Sequence, residues 1–333
     1  MLHAYFPYYR LDYLQAVKCL KDIAGMSPND PNVESYVNRS INCLRFFPTL
    51  KIAEDWFVVR MRTGWHADDE EQYSYPHNIE DVKLGRANLP KEPIFYGSIT
   101  DDSNNVFESS RINAMEVADN AFENGHCRMR ITMSCWRLKH PLFVFPMIHY
   151  SLYNDLLEES NRLVSKLRSG YEKNLKKWVD EETIDDLTLR SNDDIYKFWS
   201  DEFQKQIIDG NYQKTAYFTK IMLNEQHRWS KVRKIYDGIL YPSHKTYGRI
   251  GCNIAIRPEV VDAHLELMVK GRGTLYVNKQ SSITKYLLQL ESDKVKFGGK
   301  WVEENILEQK GYNENELCNE LSIGSVDELE WIN

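Results

Sequence analysis

The order of patterns along this 333-residue chain predicts an α+β fold. Helical patterns come first, then strands, then a helical insertion, then strands again, without the βαβ rhythm of a doubly wound sheet. The cleanest strand is "RMRITMSCWR". Met129, Ile131, Met133 and Cys135 alternate there with Arg128, Arg130, Thr132 and Ser134, the period-two pattern of a half-buried strand.

The elements follow in order. Residues 10–46 read as helical: Leu14, Val17, Leu20 and Ile23 recur at helical spacing, and Gly25 is a stop. A second helix runs through "NVESYVNRSINCLRFF" after the turn "SPNDPN". "WFVVRM" is a short strand, followed by a long polar loop, "TGWHADDEEQYSYPHNIEDVKLG", of the kind that is often functional or mobile. "EPIFYGS" is a buried strand. A helix from about 104 to 123 follows, with Asp101, Asp102 and Ser103 as caps. After "RMRITMSCWR" the turn "LKHP" leads into "LFVFP", a paired strand.

Residues 151–235 form the helical insertion. Leu156, Leu163 and Leu167 make one apolar line, and Ile195, Trp199, Phe203 and Ile207 fall at intervals of four. Ser191 and Asp194 suggest a capping box and Gly210 a C-terminal cap. Strands return at "GILYPS", "CNIAIR", "GTLYVN" and near "KVKFGGKWV". The acidic tail from Asn305 reads as helical or loose. This divides the chain into a helical segment (1–50), a main domain (51–304) carrying the insertion, and a tail (305–333).

Hydrophobic residues make up 42% and charged residues 27%, an ordinary soluble balance. The net charge of −7 argues against non-specific nucleic-acid binding, which needs basic surface, so no nucleic-acid partner is expected. A local basic groove is compatible with that total. The best linear candidate, "RLVSKLRSGYEKNLKKW", is interleaved with Glu158, Glu159 and Glu172 and reads as a solvated helix face. No apolar run reaches the roughly 18 residues of a membrane span. Arg10 and Asp12 interrupt the start where a signal peptide needs an apolar stretch, so a cytoplasmic location and no membrane partner are expected. The six cysteines form no C-x-x-C and the nine histidines no H-E-x-x-H, so neither disulfides nor a metal is expected.

P-loop, G-x-G-x-x-G and G-x-S-x-G signatures are all absent. Polar candidates lie instead in "VVRMR", "GRANLPKEPIFYGSITDDSNNVFE" and "YDGILYPSHKTYGRIGCNIAIRPEVVD". Arg60 and Arg86 present guanidinium forks that match a pyrophosphate bidentately. Tyr96 offers a ring to stack on nicotinamide. Glu108 is a carboxylate able to stabilise an oxocarbenium-like sugar, and Ser243 a hydroxyl for the ribose or for Glu108. Each also has an ordinary reading: Arg60 in an ion pair with Asp55, Tyr96 as core, Glu108 on a helix dipole, Ser243 in a turn.

These three blocks resemble the RES-domain family, named for its Arg, Glu and Ser, which is similar to ADP-ribosyltransferases and whose characterised members are NAD-degrading bacterial toxins paired with antitoxins. The resemblance covers roughly residues 56–301. It implies an ADP-ribosyltransferase-like mixed β core with N-terminal helices and the helical insertion. It makes Arg60 (Arg62 if the register slips), Arg86, Tyr96, Glu108 and Ser243 the functional set, with Glu108, Ser243 and Arg60 as catalytic residues. Ala87, where an aromatic is common, and "SNNVFE" before the glutamate depart from the pattern. The implied activity is cleavage of the nicotinamide–ribose bond of NAD, as substrate rather than cofactor, with water or phosphate as acceptor. An antitoxin or other inhibitory protein is the implied partner, and a homo-oligomer stays open. The alternatives are ADP-ribose transfer to a macromolecule and a non-enzymatic nucleotide- or partner-binding module.

Overall fold

The computed structural model describes residues 13–27, 29–44, 49–64, 70–100, 113–114, 116–117, 125–149, 169, 186–205, 212–223, 236–243, 252–280, 283–297, 300–303 and 313–332. The fold is mixed α/β. In chain order its elements are α1 (Tyr13–Gly25), α2 (Val33–Cys43), β1 (Leu50–Ile52), β2 (Phe57–Thr63), β3 (Phe95–Thr100), β4 (Gly125–Leu138) and β5 (Leu142–Pro146). They continue with α3 (Asp186–Gln204), α4 (Gln213–Leu223), β6 (Gly238–Pro242), β7 (Cys252–Ile256), α5 (Pro258–His264), β8 (Leu265–Gln280), β9 (Ile283–Phe297), β10 (Lys300–Glu303), α6 (Glu314–Leu321) and β11 (Glu330–Ile332). Among the described residues no helix is long and apolar enough to cross a membrane.

The chain forms two compact units, each assembled from three stretches of sequence. The first holds residues 1–52, 76–95 and 141–261. Its strands run β1-β5-β6-β7, antiparallel except for the parallel β5–β6 pair. "LFVFP" is thus a paired strand, its partners being β1 and β6. Over these strands lies an aromatic core. Phe145 meets the rings of Tyr196 and Tyr236 edge-on, and Trp199 lies 4.6 Å from Phe218. The Trp199 indole N–H donates to Ser40 Oγ at 3.1 Å, tying α3 to α2.

The spacing of Ile195, Trp199 and Phe203 holds, for all three are fully buried. The capping box expected at Ser191 does not form, because α3 begins at Asp186 and Ser191 is a buried interior residue. Asp194 instead accepts a hydrogen bond from Tyr13 at 3.0 Å. Ile207, Gly210 and the leucine line at 156–167 lie outside the described residues.

The stripe expected on α1 is rotated. Ala16, Cys19 and Ile23 are buried, whereas Leu14 is 70% exposed. Both stripes have helical period, and the small side chains of Ala16 and Cys19 let α1 lie close to α2, where the Cys19 thiol points at Tyr36 O.

The second unit holds residues 53–75, 96–140 and 262–333. Its strands run β3-β2-β4-β8-β9-β10, all antiparallel, and β11 pairs parallel with β4. Val59 and Met61 of β2, Met129, Ile131, Met133 and Cys135 of β4, and Leu275 and Val277 of β8 form one apolar face. The alternation read in β4 is correct for that face, but the other face is not open throughout. From Ile131 to Trp136 every residue is buried. The polar loop after β2 folds back over it: Thr132 donates to Gly64 O at 2.7 Å and Ser134 to Tyr73 O at 2.8 Å.

From Asn313 to Ile332 the acidic tail is also folded. Asn313 and Glu316 form a capping box on α6, and Leu321, Ile323 and Leu329 pack with Tyr276 and Leu287. Replacing Ile23 with Ala is expected to lower the unfolding free energy by about 2–5 kcal/mol. Leu14→Ala should stay within about 0.5 kcal/mol. Urea unfolding of the two variants checks which stripe faces the core.

Candidate functional site

Strand alternation fixes where the two arginines of "VVRMR" go. Val59 and Met61 enter the apolar core, so Arg60 and Arg62 stand on the opposite face of β2. Arg60 is buried at 9% exposure, and its Nη1 donates to the carbonyl of Tyr96 at 3.0 Å. Burial, and then the positive charge of Arg62, push its pKa down to about 9, while Tyr96 pulls the other way. Arg62 is half-buried and donates through Nη1 to the backbone oxygen and Oε1 of Gln72, at 3.1 and 3.2 Å. Burial lowers its pKa too. A guanidinium taken out of water beside a second one gains more from an anion than a solvated one does. No ion pair joins Arg60 to Asp55, whose own N–H donates to Leu138 O.

Tyr96 contributes its carbonyl here, at the start of β3, and its side chain is half-buried. The glycine that follows explains why β3 lies so close. A Cβ on Gly97 would sit 2.5 Å from Val58 Cγ1 and 2.7 Å from Val59 O. Asn113 locks the same stretch from another side, donating from Nδ2 to Val59 O at 3.0 Å. The sequence reading passed over Asn113. Its only signal was an amide in the apolar run "INAMEVA", five residues after Glu108. Glu108 itself lies outside the described residues.

Two further groups were missed. Ser134, expected on an open face, is the cross-strand partner of both Arg60 and Lys270, and accepts from Trp136 Nε1 at 3.0 Å. Lys270 is buried, with its ammonium 5.6 Å from the Tyr73 ring centre. These residues make the neighbourhood of Arg60 cationic as well as dry.

Arg86 and Ser243 belong to the first unit. Arg86 lies inside the turn closed by the Gly85–Asn88 bridge and donates through Nη1 to Phe203 O at 2.5 Å and Lys205 O at 3.1 Å. Its guanidinium lies 4.9 Å over the Tyr212 ring. Those carbonyls end α3, so Arg86 satisfies acceptors that a helix C-terminus leaves open. Ser243, just past β6, is fully buried. Ala87 is buried and lines a cleft of about 270 Å³ with Asn88, Ile94, Thr219, Lys220 and Arg257.

The six candidates therefore fall into a close group of Arg60, Arg62 and Tyr96 in the second unit, and Arg86 and Ser243 in the first, with Glu108 undescribed. Among the described residues no cluster of His, Cys, Asp and Glu is suited to a metal ion. No family model, curated protein or solved structure matches the chain.

Gly97→Ala is expected to cost about 1–3 kcal/mol by forcing β3 away from β2, read as a lower denaturant midpoint. Arg86→Met, which keeps length but removes the fork, should cost about 1 kcal/mol through the lost α3 carbonyl bonds. A thermal melt checks it without any ligand.

Proposed function

We propose that the protein consumes NAD by cleaving its nicotinamide–ribose bond. The observation that carries the reading is the desolvated guanidinium of Arg60 beside Arg62, inside the first block that resembles the RES-domain family. A diphosphate is a ligand such a pair favours: its oxygens accept two parallel N–H bonds, and its charge relieves the repulsion between the guanidiniums. Tyr96 lends its ring to nicotinamide.

Nicotinamide carries its own positive charge and leaves without much acid assistance. The carbon it leaves becomes oxocarbenium-like, and the Glu108 carboxylate stabilises that charge. Water or phosphate then takes the ADP-ribose. A cytoplasmic toxin or defence effector, restrained by an inhibitory protein, is the setting that the resemblance supports, on an ADP-ribosyltransferase-like core.

Purified protein incubated with NAD is expected to release nicotinamide. Glu108→Ala should lower the turnover number at least about 100-fold, the scale of removing one electrostatic stabiliser. Arg60→Met should act mainly on kcat/KM. Label from NAD should appear as free ADP-ribose or its phosphate; label retained on protein or RNA indicates a transferase instead. Nicotinamide release that is equal in wild type and Glu108→Ala, with both folded by circular dichroism, sinks the assignment of Glu108.

A further inference from the structure

The helices α1 and α2 bring together two cysteines that are far apart in sequence and belong to no C-x-x-C. Ala16, Cys19 and Ile23 are the residues that α1 buries, so the Cys19 side chain faces the neighbouring helices. It meets α2 at Tyr36, whose carbonyl oxygen lies 3.9 Å from the thiol sulfur. Cys43 is the last residue of α2, and its thiol donates back along the helix to Arg39 O at 3.2 Å. Positions 36, 39 and 43 share one face of a helix, because residues three and four apart stack there. Both sulfurs therefore lie along the same strip of α2, and the Cys43 side chain is a hydrogen-bond partner of the Cys19 thiol.

That neighbour changes the chemistry of Cys19. The Cys43 S–H, turned from Arg39 O to the Cys19 sulfur, favours the thiolate and lowers its pKa; burial opposes this, Arg39 adds to it and Asp22 opposes it. Other buried thiols behave in the opposite way. Burial pushes Cys135 and Cys252 up to about 12, so both stay protonated and inert. Cys19 and Cys43 keep 5% and 4% exposure, which suits an oxidant near the size of water over a bulky disulfide.

We propose that Cys19 and Cys43 are an oxidation site for hydrogen peroxide, joined by it into a disulfide that ties α1 to α2. The Cys19 thiolate attacks one peroxide oxygen, the O–O bond breaks, and the departing hydroxide takes a proton and leaves as water. The sulfenic acid formed on Cys19 is then attacked by the Cys43 sulfur. The S–O bond breaks and hydroxide leaves as water with the proton that Cys43 gives up. Two thiols are oxidised by two electrons and one peroxide is reduced to two waters. A dithiol reductant returns the pair to thiols by exchange. The link closes beside Ser40, which accepts from Trp199 of α3, so oxidation fastens a hairpin already seated on the aromatic core. The inference uses no residue of the NAD reading, and its test does not read NAD turnover.

The test treats the reduced full chain with a small excess of hydrogen peroxide and blocks the remaining thiols with N-ethylmaleimide. Mass spectrometry of the non-reduced digest then maps the disulfides. The expected result is a Cys19–Cys43 link formed at least about tenfold faster than any other pairing, since adjacent groups react at high effective concentration. In denaturing urea that preference should vanish. The link should raise the thermal midpoint by about 5 °C through loop closure, and dithiothreitol should reverse the rise. In Cys43→Ser a cyclic dione probe should label Cys19 as its sulfenic acid, and in Cys19→Ser it should leave Cys43 unlabelled. The wild-type map decides the pairing even if a serine variant proves unfolded by circular dichroism. No Cys19–Cys43 link in the native protein, the same preference in urea, a midpoint that does not rise, or labelling of Cys43 in place of Cys19 overturns the proposal.

Discussion

The two-sidedness of β4 is the constraint on which the second unit depends. Its odd-numbered residues from Cys127 to Cys135 complete an apolar core with β2 and β8, so the even-numbered ones have no choice of side. A one-residue slip would drive Arg128 and Arg130 into that core at a cost of many kcal/mol, which makes the register stiff. With the register held, Arg60, Ser134 and Lys270 fall in one row, and Arg62, Thr132 and Arg272 in the next. The polar groups are thus aligned by the oily ones behind them.

What distinguishes the rows is cover. The chain after β2 returns over these two rows, with Tyr73 O on Ser134 and Gly64 O on Thr132, and the site around Arg60 is dried by it. Toward Arg128 and Arg130 the cover is the tail strand β11, which leaves one of its own side chains, Trp331, in solvent. One sheet face therefore grades from a buried cation to exposed ones over a few residues. Arg86 shows the contrasting use of the same side chain. Its fork closes the end of α3, where backbone carbonyls lack partners, and the Tyr212 ring backs its flat side.

Much of the architecture is legible in the residues. Strands appear within "WFVVRM", "EPIFYGS", "RMRITMSCWR", "GILYPS" and "CNIAIR", as does the interval of four through Ile195, Trp199 and Phe203. The readings that failed share one cause. Leu14 and Ala16 both begin a series at helical period that reaches Ile23, and only the neighbour decides which stripe is covered. Ser134 fits an open strand face until a distant loop supplies a carbonyl. Ser191 has the composition of a helix start but lies inside a longer helix. In each case a local pattern is consistent with two outcomes, and a long-range contact selects one.

For the candidate site the division is similar. The sequence by itself determined the residue types and their alternation: arginines two apart on one strand face, a glycine after Tyr96, a net acidic chain with its cations unevenly placed. Period and stereochemistry act within a few residues, so these are readable without a fold. Only the tertiary structure decided that Arg60 is dry and lies against the Tyr96 carbonyl, that Asn113 braces Val59, and that Arg86 serves a helix end. Burial and hydrogen-bond partners come from segments tens of residues away, and no local pattern carries that information.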